Sequence, residues 1–169
     1  MQDFVHLHVH TQYSLLDGQA SVSRLVDKAM KDGMKGIAVT DHGNMFGIKE
    51  FTNYVNKKNS GPKGEIKDLK KRIAGIESGE IECEDKEAEI ADCRAKMAEA
   101  ESKLFKPIVG CEMYVARRTM DKKEGKPDQS GYHLIVLAKN EKGYHNLIKL
   151  VSHAWTRGYY MRPRDRKST

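Results

Sequence analysis

Cysteine is scarce. Three residues, Cys83, Cys93 and Cys111, are odd in number and lack Cys-x-x-Cys spacing, which argues against a disulfide framework. That usage fits a reducing compartment, and the expected location is the cytoplasm. Long hydrophobic runs are missing too: nothing approaches the roughly 18 apolar residues of a membrane-spanning helix, so no membrane partner is expected. The chain begins in a strand pattern, without the basic and apolar regions of a secretory signal. Acidic charge is outweighed, with 30 Lys and Arg against 24 Asp and Glu. Residues 60–104 carry 9 Lys and Arg against 12 Asp and Glu, so the basic excess lies in the rest of the chain. A basic body suits an anionic partner such as nucleic acid. The closing Arg157, Arg162, Arg164, Arg166 and Lys167 suit the same partner, or a solvated tail. At 169 residues the chain is one domain, or most of one.

Histidine, by contrast, is concentrated in one place. His6-Leu7-His8-Val9-His10-Thr11 reads as part of a strand over about Phe4 to Val9. Side chains alternate along a strand, so Val5, Leu7 and Val9 face one way and the three histidines the other. Successive same-face residues lie roughly 6.5–7 Å apart, close enough for their imidazoles to converge on one cation. A merely solvated face would more readily use Thr, Lys or Glu. A second apolar strand, Gly36-Ile37-Ala38-Val39-Thr40, ends in Asp41-His42-Gly43. The two segments together predict a metal site.

Further along, Ser21 is expected to cap a helix through about Lys31, with Gly33 after its end. A second helix follows through Phe46, Ile48, Phe51, Tyr54 and Val55, closing near Asn59-Ser60-Gly61-Pro62. Ile66, Leu69, Ile73 and Ile76, then Ile90, Cys93, Met97, Ala100 and Leu104, form two heptad stripes separated by a turn at 79–85. Residues 61–104 therefore read as a helical hairpin inserted in the domain. A third strand, 106–115, carries Glu112 among apolar neighbours, where a carboxylate calls for a partner. A loop over 117–131 leads to a fourth strand, 132–138, containing His133. Asn140 is expected to cap a final helix through about Trp155, with Tyr144, Leu147, Ile148 and Val151 inward. His145 and His153 on that helix read as surface residues. Alternating strands and helices predict an α/β domain with a largely parallel sheet or barrel.

Several motifs then coincide. His8-Val9-His10-Thr11, Tyr13-Ser14-Leu15-Leu16-Asp17-Gly18, Thr40-Asp41-His42-Gly43-Asn44, Pro107-Ile108-Val109-Gly110-Cys111-Glu112 and His133-Leu134 occur in order. Together they resemble the polymerase-and-histidinol-phosphatase (PHP) domain that opens the alpha subunit of bacterial replicative DNA polymerase III. Gly143-Tyr144-x-Asn146-Leu147 and Arg157-Gly158-Tyr159-Tyr160 resemble later parts of the same subunit. The resemblance implies a distorted (β/α) barrel with up to three divalent metal ions (Zn, Mn or Fe) at the strand ends. It implies His8, His10, Asp17, His42, Glu112 and His133 as ligands, with His8, His10, His42 and Glu112 acting catalytically through the metals. Asp17, read from the residues alone, is a turn residue. Asp41 is expected behind the ligands, accepting a hydrogen bond from a ligand imidazole. His6 precedes the matched motif and is left outside the ligand set.

The implied activity is phosphoester hydrolysis, as a 3′→5′ exonuclease in polymerase members, within a whole protein that is a DNA-directed DNA polymerase. The implied partners are DNA, the remainder of the polymerase chain and a replisome proofreading subunit. The family pattern continues with further ligands, including a late Asp-x-His. Residues 1–169 are therefore expected to be the N-terminal portion of the domain, with an incomplete barrel and a tendency to self-associate. Two other readings remain: a non-catalytic scaffold stabilised by its metals, and a small-molecule phosphatase of the same family.

Overall fold

A computed structural model describes residues 4–129 and 131–166, so the expected basic contact at Lys167 lies outside the described residues. In chain order the elements are α1 (Val22–Lys31), β1 (Gly36–Val39), α2 (Ile48–Lys58), α3 (Ser60–Ser78), α4 (Lys86–Ser102), β2 (Lys106–Val115), α5 (Lys126–Gln129), β3 (Tyr132–Leu137), α6 (Glu141–Thr156), β4 (Tyr159–Tyr160) and β5 (Arg162–Asp165). The chain forms two compact units. Val55–Phe105 make one, and the residues on either side of that span make the other.

The larger unit is a mixed α/β structure organised on β2. β1 pairs parallel with its first half, Gly36 opposite Lys106 through Val39 opposite Val109. That edge continues through a parallel bridge between His42 and Glu112, and ends with β5 parallel to Tyr114 and Val115. β3 lies antiparallel along the other edge, with Glu112 opposite Ile135 and Tyr114 opposite His133. The expected parallel character thus holds for β1 and β5 but not for β3 or for the β4–β5 pair. The segment joining β2 to β3 contains only the one-turn α5, too little for the helical crossover a parallel neighbour needs.

Packing follows the apolar pattern. Val22, Val26 and Ala29 of α1 are buried, as are Ile37, Ala38 and Val39 of β1, the mark of a strand covered on both faces. Leu147 and Ala154 of α6 join Cys111 and Met113 of β2 in one cluster, with Val151 against it. Ile148, expected inward, is exposed because 147, 151 and 154 define the helix face that meets the sheet. Asn140 caps α6 by accepting from Gly143 N at 2.9 Å. Ser21 makes no such bond at α1; the Gln12 side-chain oxygen accepts from Val22 N at 3.0 Å instead.

The N-terminal segment departs from its expected form. Residues 4–10 are extended beside β1 but are not a regular strand. Their carbonyls at His6 and Val9 accept from Ala38 N and Thr40 N, three residues apart on one side and two on the other. The Thr40 hydroxyl takes over the missing ladder bond, accepting from Val9 N at 3.0 Å and lying 3.2 Å from Val9 O. Val9 is thus pinned at both its N–H and its carbonyl by the single residue Thr40.

In the smaller unit, α3 begins at Ser60, so Pro62 sits in its first turn, where its missing N–H leaves no helical bond unmade. Gly79 ends α3 in the left-handed conformation, φ 81°. Asp85 caps α4, accepting from Ala88 N at 3.0 Å. Arg72 donates to Glu89 across the two helices at 2.6 Å. Ile76, Cys93 and Ala100 are buried, and the other stripe positions are half-buried.

Within the expected loop, residues 118–128 are tied together by a buried carboxylate. Asp128 is fully buried and accepts from both Nε and Nη2 of Arg118 and from Glu124 N. The Arg118 guanidinium holds the Asp128 carboxyl down at about 2, below an ordinary aspartate near ~3.9. A carboxyl depressed on folding stabilises the native state above its unfolded pKa and loses that contribution as pH falls toward the folded value. Asp128→Asn is therefore expected to be less stable than wild type at pH 6, with the difference closing between about pH 4 and pH 2. Urea midpoints of both chains across that range check this.

Candidate metal centre

Five backbone segments deliver the donors. The pinned 8–10 segment supplies His8 and His10, the continuation of β1 supplies His42, and β2 supplies Glu112. A turn at 11–18 brings Asp17 back toward them through Ser14 N→Thr11 O, Asp17 N→Ser14 O and Gly18 N→Ser14 O. His133 arrives from β3, opposite Tyr114 in register. All six expected ligands meet. His6 does not join them; its ring packs edge-on to Phe4.

Glu112 is the hub, 3% exposed. Its Oε2 lies 2.7 Å from His8 Nε2, 2.6 Å from His10 Nε2 and 3.5 Å from His42 Nδ1. Its Oε1 contacts His133 Nδ1. Asp17 Oδ2 bridges His10 Nδ1 at 2.8 Å and His42 Nε2 at 2.7 Å. The donors therefore fall into three overlapping triads: His8, His10 and Glu112; His10, Asp17 and His42; His42, Glu112 and His133.

Protons alone satisfy this arrangement poorly. His10 faces a carboxylate at each ring nitrogen, which demands an imidazolium if both contacts are hydrogen bonds. Three imidazole nitrogens crowd one carboxylate oxygen, and buried His42 Nδ1 has no hydrogen-bond partner. Divalent ions shared among neutral imidazoles and bridging carboxylates suit such a donor set, and mixed nitrogen–oxygen ligation matches Zn, Mn or Fe. Burial pushes the Glu112 carboxyl up, but its contacts with His8, His133 and His10 more than reverse this and hold it at about 2. Contacts with His10 and then His42 likewise lower Asp17. Both carboxylates are ionised at neutral pH, the form that binds metal.

Asp41 corrects the expectation placed on it. Its carboxylate is 1% exposed and meets no imidazole. It accepts from Thr11 N at 2.7 Å, from the Thr11 hydroxyl at 2.9 Å and from the Ser14 hydroxyl at 2.6 Å. The Ser14 oxygen in turn accepts from His42 N at 3.1 Å. Asp41 thus braces the turn carrying Asp17 and the backbone carrying His42. Thr11 and Ser14 escaped notice as brace residues, although both lie inside the motif runs. Tyr114, stacked 5.9 Å from His42, carried no signal beyond its place in an apolar strand.

Gly43 shows how tightly the motif is packed. Its φ is +60°, and a Cβ there would lie 2.7 Å from Pro163 Cγ and 3.2 Å from the Tyr114 ring. Gly43→Ala is expected to cost at least about 1–2 kcal/mol from the left-handed backbone alone, and more from the clash. A lower urea midpoint at unchanged slope is the measurement.

A mixed α/β unit with this donor cluster defines a domain with the means to hold several divalent ions. The chain belongs to the PHP domain family, whose pattern matches residues 6–169. It is 40% identical over 162 residues to DNA polymerase III subunit alpha of Borreliella burgdorferi, covering 95% of this chain and 10% of that protein. With the same subunit of Treponema pallidum the identity is 39%, again over 95% of this chain and 10% of the relative. With that of Aquifex aeolicus it is 32%, over 96% and 11%. The chain thus spans about a tenth of the length of these relatives.

Proposed function

We propose that this domain is the PHP module of a replicative DNA polymerase alpha subunit and hydrolyses phosphodiesters at a DNA 3′ end with bound divalent metals. The observation that carries the reading is the overlap of the three triads on His10, His42 and Glu112, which suits ions close enough to act on one phosphoryl group. His8, His10, Asp17, His42, Glu112 and His133 would hold the metals. Such ions, when bound, supply activation of water and neutralisation of phosphoryl charge. Glu112 sets the spacing of the cluster from the middle of β2, and Asp17 joins His10 to His42. Asp41 keeps both supporting turns in place.

The whole protein, in this reading, synthesises DNA in the cytoplasm alongside a proofreading subunit. The sheet belongs to a larger barrel, and residues 61–104 are an inserted helical hairpin. A scaffold role has its own support: the centre ties the 8–10 segment, the 11–18 turn, β1, β2 and β3 together, so metals there would cross-link the fold. Elemental analysis of chelator-free protein, paired with hydrolysis of a 3′-labelled single strand before and after chelation, separates the two. Stoichiometric metal with chelator-sensitive hydrolysis supports the nuclease. Metal-dependent melting without hydrolysis supports the scaffold. Hydrolysis that persists in metal-free protein would sink the proposal.

A further inference from the structure

His42 also lines a cleft of about 280 Å³ outside the ligand cluster. Its walls are aromatic and wet: Phe46 is 66%, Tyr159 48% and Trp155 43% exposed. Trp155 and Tyr159 stack at 5.6 Å with planes 21° apart, and Phe46 leans on Trp155 at 6.3 Å. Trp155 Nε1–H donates to Gly43 O at 2.7 Å, fixing the indole one residue from His42. In the same lining the Arg162 guanidinium lies 5.1 Å over the Tyr114 ring and donates to its hydroxyl, and that ring is stacked on His42. The rim is strained. Met161, exposed and lining the cleft, has φ 61°; Leu16, beside lining residue Leu15, has φ 71°. These are the only non-glycine residues with positive φ among the described residues. Backbone strain that holds apolar side chains in water is characteristic of ligand sites.

Flat apolar faces, one cation and a neighbouring phosphoester centre together fit a single class of ligand, an aromatic heterocycle joined to a phosphate. We propose that this cleft is a nucleobase subsite. The base of the terminal nucleotide stacks against Trp155 and Tyr159, Arg162 faces its phosphate, and the ester reaches the cluster beside His42. Recognition by stacking tolerates any base, because every base offers a π face. The inference rests on the phosphoester reading above and adds to it the residues that select a nucleotide over a bare phosphate.

Trp155 is the only tryptophan of the chain, so its emission reports the cleft directly. The chain with Zn²⁺ is titrated with thymidine 5′-monophosphate and with 2-deoxyribose 5-phosphate, following Trp155 fluorescence and, in parallel, heat by calorimetry. Saturable quenching by the nucleotide is expected, with affinity roughly tenfold or more above that of the abasic phosphate. In Tyr159→Ala that ratio falls toward one. Phe46→Ala, at an exposed position safe for folding, lowers it in the same direction. Equal affinity for the two phosphates in the wild type would overturn the subsite while leaving the phosphoester reading standing. Binding of neither phosphate would overturn both.

Discussion

Glu112→Gln is expected to strip the centre of metal, with affinity falling at least roughly 100-fold, since even residues behind the ligands typically contribute 10–100-fold. The substitution keeps the shape of the side chain but turns one acceptor oxygen into an N–H donor and removes the charge. Its effect is large because Glu112 belongs to two of the three triads and contacts four imidazoles. Asp17→Asn tests the same logic from the edge of the cluster. Asp17 is exposed and joins only His10 and His42, so part of the bound metal should remain. Metal-to-protein ratios after dialysis, with a competing chelator to rank affinities, read both variants. Full retention of metal in Glu112→Gln would show that the hub is not a ligand.

What the sequence discloses about such a centre depends on how locally each residue is specified. His8 and His10 stand out because two-residue spacing is itself a geometric statement in extended chain. His42 and Glu112 stand out because polar groups at the end or in the middle of an apolar strand need partners. His133 has no such local mark in its strand, and Asp17, in a polar turn, looks like any turn residue; only the order of motifs along the chain drew them in. The brace was illegible for a different reason. Asp41 next to His42 invites a carboxylate–imidazole contact, yet successive residues of an extended chain point to opposite faces. His42 faces the cluster, so Asp41 faces Thr11 and Ser14. The irregularity of residues 4–10 was hidden too, because it depends on the Thr40 hydroxyl replacing one ladder bond, a choice made 31 residues away. β4 and β5 were missed because two- and four-residue strands in a basic segment carry no periodicity, and buried Arg164 there reads as solvated.

Asp41→Ala is expected to be the most destabilising single change near the site, by about 3–5 kcal/mol. The deletion strands three buried donors, and hydrogen bonds to a charged acceptor are worth about 1.5–3 kcal/mol each, with incomplete additivity within one network. Asp41→Asn should fall between, because its amide can still accept one bond while its NH2 faces donors. Ser14→Ala removes one donor together with the acceptor for His42 N, and should cost about 1–2 kcal/mol. Each variant also loosens the turn that aims Asp17 and the backbone that aims His42, so metal affinity should drop roughly 10–100-fold without the loss of any ligand. Urea unfolding and metal competition on the same samples give the two readouts. A stable Asp41→Ala with wild-type metal binding would mean that the ligands are aimed by the sheet alone. A joint loss, graded Ala, then Asn, then Ser14→Ala, would mean that the brace and the metal centre form one cooperative structure.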